Sequence, residues 1–179
     1  MMQFLDNGRG ISTIRFEQCE QVAAETLGAF QSAGNPLKLP IDIEQIASMM
    51  EYQVVRLTDV PDEFSAIVST RDRLIGINAA HHRHRQRFSI GHELGHILLD
   101  HPPEAKRSRI QIDLDNREAD YCAAALLMPK TIVREFAERT SNVTELSRVF
   151  DVSKEAMARR LKLLGITTKD GIQLSKEEG

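Results

Sequence analysis

Residues 82–100 limit what this chain can fold into more than any other stretch. Phe88, Ile90, Leu94, Ile97, Leu98 and Leu99 recur at helical spacing and run nearly all the way round the axis, which predicts a buried helix. Pro102-Pro103 ends it. The same stretch carries His92, Glu93 and His96, which are costly to bury without partners. It also carries Gly91 and Gly95, four residues apart. A glycine inside a helix costs ~1 kcal/mol relative to alanine, so the pair predicts that another backbone passes close by.

The surrounding pattern is mixed. Phe16, Cys19, Val22, Ala23, Leu27 and Phe30 place a first helix over 13–33, stopped by Gly34-Asn35-Pro36. Asp42 with Gln45 forms a capping-box pattern opening a short helix through Met50. Three short strands follow at 53–57, 65–70 and 73–77; the last two form a hairpin whose turn lacks the favoured glycine. Beyond the long helix, a further helix is expected at 115–128, closed by Pro129, and several small helices at 131–165. A small sheet among helices is an α+β arrangement.

Composition narrows the function. The 179 residues are about one domain, with 41% apolar residues to fill a core. Twenty-three basic against 26 acidic side chains leave a net charge of −3, which excludes a strongly basic nucleic-acid binder at the level of the whole chain. Cys19 and Cys122 cannot make a disulfide scaffold or a cysteine-rich zinc ribbon. No signal peptide or membrane-spanning run is visible, so the expectation is a soluble, cytoplasmic protein with no membrane partner and no organic cofactor.

The chemistry is concentrated in the long helix. Residues 92–96 read His-Glu-Leu-Gly-His, an HExxH motif. Side chains at i and i+4 share a helix face ~5–6 Å apart at Cβ, so both imidazoles can reach one ion. Glu93 is offset by about a quarter turn, beside the ion rather than on it, where it can accept a proton from water. A catalytic zinc needs a third protein ligand. His101 is one residue out of register for an HExxHxxGxxH pattern, and position 99 is Leu rather than Gly. The alternative is Glu118 from the following helix. Spacing alone leaves Glu118 between two roles, because Asp115 with Glu118 also fits a capping box.

The segment Arg87-Phe88-Ser89-Ile90-Gly91-His92-Glu93-Leu94-Gly95-His96-Ile97-Leu98-Leu99, with Glu118-Ala119-Asp120 and Leu126-Leu127-Met128-Pro129, resembles the ImmA/IrrE family of metallo-endopeptidases. The similarity runs from about residue 20 to 165 and includes Leu39-Pro40-Ile41-Asp42. The resemblance implies a zincin-like domain over 12–130, a zinc-dependent peptidase, and a protein substrate that is a helix-turn-helix repressor. It assigns His92 and His96 as histidine ligands, Glu93 as the catalytic glutamate and Glu118 as the third ligand. Manganese or another divalent ion would suit the same donors. Tyr121, His101 and Arg87 are the candidates for oxyanion or substrate contacts. The family more often has an aromatic residue at the position of Cys122, which is read as a small buried thiol, with a fourth ligand as the alternative.

The remaining features are milder. His81, His82 and His84, interleaved with arginines, suggest a basic loop or first helical turn that attracts an acidic substrate segment. Within a C-terminal helical segment at 131–166, residues 144–165 have a helix-turn-helix cadence, with Ser153 as a cap. Residues 148–162 hold five basic and two acidic side chains, a weak case for DNA contact, so bracing of the metal domain or docking of a partner is preferred. Residues 1–11 and 167–179 are expected to be flexible ends. The competing function is a DNA-binding or protein-interaction regulator with a non-catalytic metal site.

Overall fold

The computed structural model describes residues 14–103, 107–140 and 142–168; the expected flexible ends lie outside these apart from residues 167 and 168. In chain order the elements are α1 (Phe16–Ser32), α2 (Ile43–Met49), β1 (Gln53–Leu57), β2 (Ala66–Ser69), β3 (Leu74–Asn78) and α3 (Arg83–Leu98). Then come α4 (Arg109–Leu127), α5 (Lys130–Arg139), α6 (Val143–Phe150) and α7 (Lys154–Leu163). The class is α+β, as the patterning predicts.

The sheet has the order β1-β3-β2, with β3 parallel to β1 and antiparallel to β2. The β2–β3 hairpin forms without glycine because Arg73 takes the left-handed φ of 55°. The Asp72 backbone N–H donates to Ser69 Oγ at 3.2 Å and steadies the turn. Asp42 caps α2 by accepting from the Gln45 N–H at 3.1 Å, as expected. Ile75 and Ile77 of β3 are buried against the helices.

Helix α3 packs along α4, and the two glycines make the contact possible. A Cβ on Gly95 would lie 2.8 Å from the Ala119 carbonyl oxygen and 2.9 Å from its Cα; one on Gly91 would lie 3.1 Å from Ala123 Cβ. The backbone expected beside this helix is therefore that of α4.

One expectation is corrected here. Helix α4 begins at Arg109, six residues before the expected start, because Ser108 and Gln111 form the capping box. Asp115 and Glu118 lie inside the helix, so Glu118 is not a capping residue.

The C-terminal helices are joined to this frame by burial and by ion pairs, among them Asp151, at the C-cap of α6, with Arg83 and Arg87 of α3. Leu146 and Phe150 of α6 and Met157 and Leu161 of α7 are fully buried. Ser153 caps α7 by accepting from the Ala156 N–H at 3.0 Å. Arg160 is also fully buried; it donates to the Met128 carbonyl at 3.0 Å and pairs with Glu20 of α1. One of the five basic side chains of 148–162 thus holds helices together. No helix among the described residues is long and apolar enough to cross a membrane.

Candidate metal centre

His92 and His96 share one face of α3, and their Nε2 atoms lie 3.0 Å apart. Two nitrogens 2.0–2.1 Å from one tetrahedral ion span an edge of about 3.3 Å, so the pair stands close to ligand spacing. Both rings are backed from behind. His92 Nδ1 meets the Asp120 carboxylate at 2.7 Å, and His96 Nδ1 meets His101 Nδ1 at 2.9 Å. A ring whose Nδ1–H is donated keeps Nε2 free as a lone pair, which is how ligating histidines are held. Burial, together with nearby His92, His101 and Arg107, pulls the His96 pKa down to about 3, so this imidazole is neutral at ordinary pH.

The α3–α4 contact explains why the polar groups gather here. Ala119 lies against Gly95, and its neighbours Glu118 and Asp120 project ~100° to either side of that contact. Asp120 reaches His92, whereas Glu118 turns towards α1. Glu118 is 3% exposed and accepts from the Arg15 backbone N–H at 2.8 Å, Arg15 Nη2 at 2.5 Å and His101 Nε2 at 3.1 Å. Burial alone would raise its pKa, but the bonds from His101 and Arg15 outweigh that and hold it down at about 2. Glu118 is therefore a carboxylate separated from His96 by one imidazole, with Arg15 bound to both of its oxygens.

Glu93 is 8% exposed and lines a cleft with His92, Asn116, Asp120 and, from the sheet side, Ser65 and Ala66. Ligand atoms of His101, Asp115 and Glu118 also lie within 4.8 Å of one another, a grouping able to hold an ion. Guanidinium groups already pair with its carboxylates, Arg15 with Glu118 and Arg107 with Asp115. The two sets of donors meet at His101, whose ring touches His96 at 2.9 Å and Glu118 at 3.1 Å; the structure does not bring Glu118 to the His92–His96 pair.

The other singled-out residues fall in different places. Arg87 is on the far side of α3, donating to the Ile41 carbonyl at 2.9 Å and the Asp151 carbonyl at 3.2 Å, so it braces the fold rather than facing the histidine pair. Tyr121 packs tilted against Phe16, with ring centroids 4.7 Å apart, and lines a groove shared with α7. His101 is beside the site, with both ring nitrogens engaged. Cys122 is fully buried, its thiol pushed up to about 12 by burial, in keeping with a packed thiol. Upstream, His81 meets the Asp62 carbonyl at 2.8 Å, His82 caps α3, and His84 meets Asp151 at 3.2 Å.

Sequence reasoning missed Asp120, Arg15, Asp115 and Arg107. Asp120 had a usable signal, since a helix meeting Gly95 through Ala119 must carry both neighbours of Ala119 along the edges of that contact. Arg15 is 103 residues from Glu118, and no local pattern points to it.

The family model for the IrrE N-terminal-like domain, peptidase M78, matches residues 48–162, well over half of the chain. No curated protein is similar enough to match. Solved structures do match; one is a Mycobacterium tuberculosis transcriptional regulator, at 16% identity and a TM-score of 0.62. The match covers 92% of this chain and 54% of that one, so the chain spans about half the length of this neighbour, and the likeness is one of fold. HExxH, the EAD segment and the glycine-mediated contact between α3 and α4 all fall inside the matched span, and the chain belongs to the IrrE N-terminal-like family of peptidase M78.

Proposed function

We propose that this protein is a zinc-dependent endopeptidase that cuts a protein substrate, a helix-turn-helix repressor. The observation that carries the reading is the pair of Nε2 atoms 3.0 Å apart, each ring backed at Nδ1. This donor set fits a divalent ion, zinc first and manganese as an alternative. His92 and His96 would hold it, and Glu118 would complete the set by turning from Arg15 and past the His101 ring that stands between it and His96. A bound divalent ion supplies Lewis acidity, polarising a peptide carbonyl and making water easier to deprotonate.

The chain's own residues do the rest. Glu93 lies in the cleft beside His92 and accepts the proton of the attacking water, then passes it to the departing amine. Asp120 orients His92. Strand β2 is at the sheet edge and reaches the cleft through Ala66, so an extended substrate segment can add alongside it. Tyr121, with Phe16 and Phe88, lines the neighbouring groove, which shares Arg85, Phe88 and Asp120 with the cleft and suits substrate side chains. Residues 12–130 form the zincin-like domain around the HExxH helix, and the helix-turn-helix-like segment 131–166 braces it. The protein acts in the cytoplasm.

The test is cleavage of a purified repressor by the metal-loaded protein. Cleavage should require the ion and fall by ~10²–10⁴ in Glu93→Gln while the ion is retained. Full cleavage by Glu93→Gln would reject the mechanism. Salt-sensitive binding to one operator, unaffected by Glu93→Gln, would favour the non-catalytic regulator.

A further inference from the structure

His101 is not a ligand by register, yet the end of α3 is built to place it. Asp100 adopts the left-handed φ of 52°, an uncommon conformation for a residue with a side chain. Its N–H donates to the Ile97 carbonyl at 3.1 Å, and the His101 N–H donates to the His96 carbonyl at 3.0 Å. These two bonds form a Schellman closure, which folds the chain back on the last turn of the helix. The fold-back lays the His101 ring edge-on to the His96 ring, with centroids 5.0 Å apart, and leaves the His101 side chain 2% exposed.

Donor and acceptor rules then set an order of protons. His101 Nε2 faces two groups, Arg15 Nη2 at 3.2 Å, which only donates, and the ionised Glu118 Oε2 at 3.1 Å, which only accepts. Arg15 Nη2 already gives a hydrogen to Glu118 Oε2 at 2.5 Å, so the geometry favours the proton on Nε2. In neutral His101 the other nitrogen, Nδ1, is then an acceptor. His96 Nδ1, 2.9 Å away, must supply the proton of that bond. With its proton on Nδ1, His96 presents a bare Nε2 to His92 Nε2. Asp120 fixes His92 in the same sense from the other flank of the α3–α4 contact.

We propose that His101 is a positioning residue of the metal centre: its acceptor nitrogen holds His96 with Nε2 bare for the ion, and its donor nitrogen ties Glu118 to the same unit. The inference rests on the metal-centre reading above. It also gives the histidine that is out of register its own part: His101 faces the ring of a ligand rather than the ion.

The test combines histidine tautomers with zinc affinity. Long-range proton–nitrogen spectra of the metal-free wild type should show His101 protonated at Nε2 and His96 at Nδ1. His101 protonated at Nδ1 alone would overturn the proposal without recourse to any variant. In His101→Phe, checked for folding by circular dichroism, His96 should lose its single tautomer, and titration with Zn²⁺ should show ~10–100-fold weaker binding. His101→Gln, which keeps one acceptor and one donor, should recover part of that loss. Wild-type affinity together with an unchanged His96 tautomer in His101→Phe would overturn the proposal and leave the metal centre standing. Wild-type protein that binds no Zn²⁺ would overturn the metal centre and the proposal together.

Discussion

The six histidines divide into two groups with the same side chain and opposite surroundings. His81, His82 and His84 meet a backbone carbonyl, a backbone N–H and the Asp151 carboxylate, and they fasten the start of α3 to its neighbours. His92, His96 and His101 meet one another and the carboxylates of Asp120 and Glu118. Imidazoles gather this closely only if most are neutral, and the low pKa of His96 shows that its neutrality is enforced. A histidine count therefore says little; what stands opposite each ring nitrogen separates a fastener from a ligand.

Replacing single histidines is the sharpest way to break that division. His96→Ala should lower cleavage by at least about a hundredfold, since the ion contributes several kcal/mol to the transition state. A kinetic assay at saturating zinc would measure this.

The division depends on α4 lying close to α3, so Gly95 comes next. Gly95→Ala forces a Cβ to within 2.8 Å of the Ala119 carbonyl and should cost about 1–3 kcal/mol in urea unfolding. Gly28 in α1 has nothing within 4 Å of its Cβ position, and Gly28→Ala should gain about 0.5–1 kcal/mol. Equal effects at the two glycines would contradict the close contact.

Acid probes the downstream group in the metal-free protein. The Glu118 carboxyl lies at about 2 in the folded chain against an ordinary 4.5. A carboxyl depressed by folding adds stability above its unfolded value and loses it as the pH falls towards its folded one. Urea midpoints should therefore drop from about pH 5 down to about pH 2, and this part of the drop should vanish in Glu118→Gln. The smallest effect belongs to the upstream group. His84→Ala should change stability by less than about 1 kcal/mol, because its pair with Asp151 is partly solvated and Asp151 keeps Arg83. Zinc affinity should not change.

Much of this was legible from local pattern. The apolar period of α3, the Asp42 and Ser153 caps, the three strands and the spacing of His92 with His96 all depend on residues within a few positions of one another. The start of α4 is hidden from local pattern because Asp115 and Glu118 imitate the cap that Ser108 and Gln111 make. The surroundings of the site were out of reach where they depend on long separations. Arg15 on Glu118 and Arg160 with Glu20 join residues more than a hundred positions apart. Arg87 shows the opposite limit, since a family-like segment drew attention to a side chain that the fold uses to hold Ile41 and Asp151.

The claim that most of this depends on is that His92 and His96 hold an ion. Metal content of the purified protein beside His92→Ala tests it directly. A stoichiometric divalent ion in the wild type, absent from a folded His92→Ala, is the expected result. Stoichiometric metal retained in His92→Ala would contradict it.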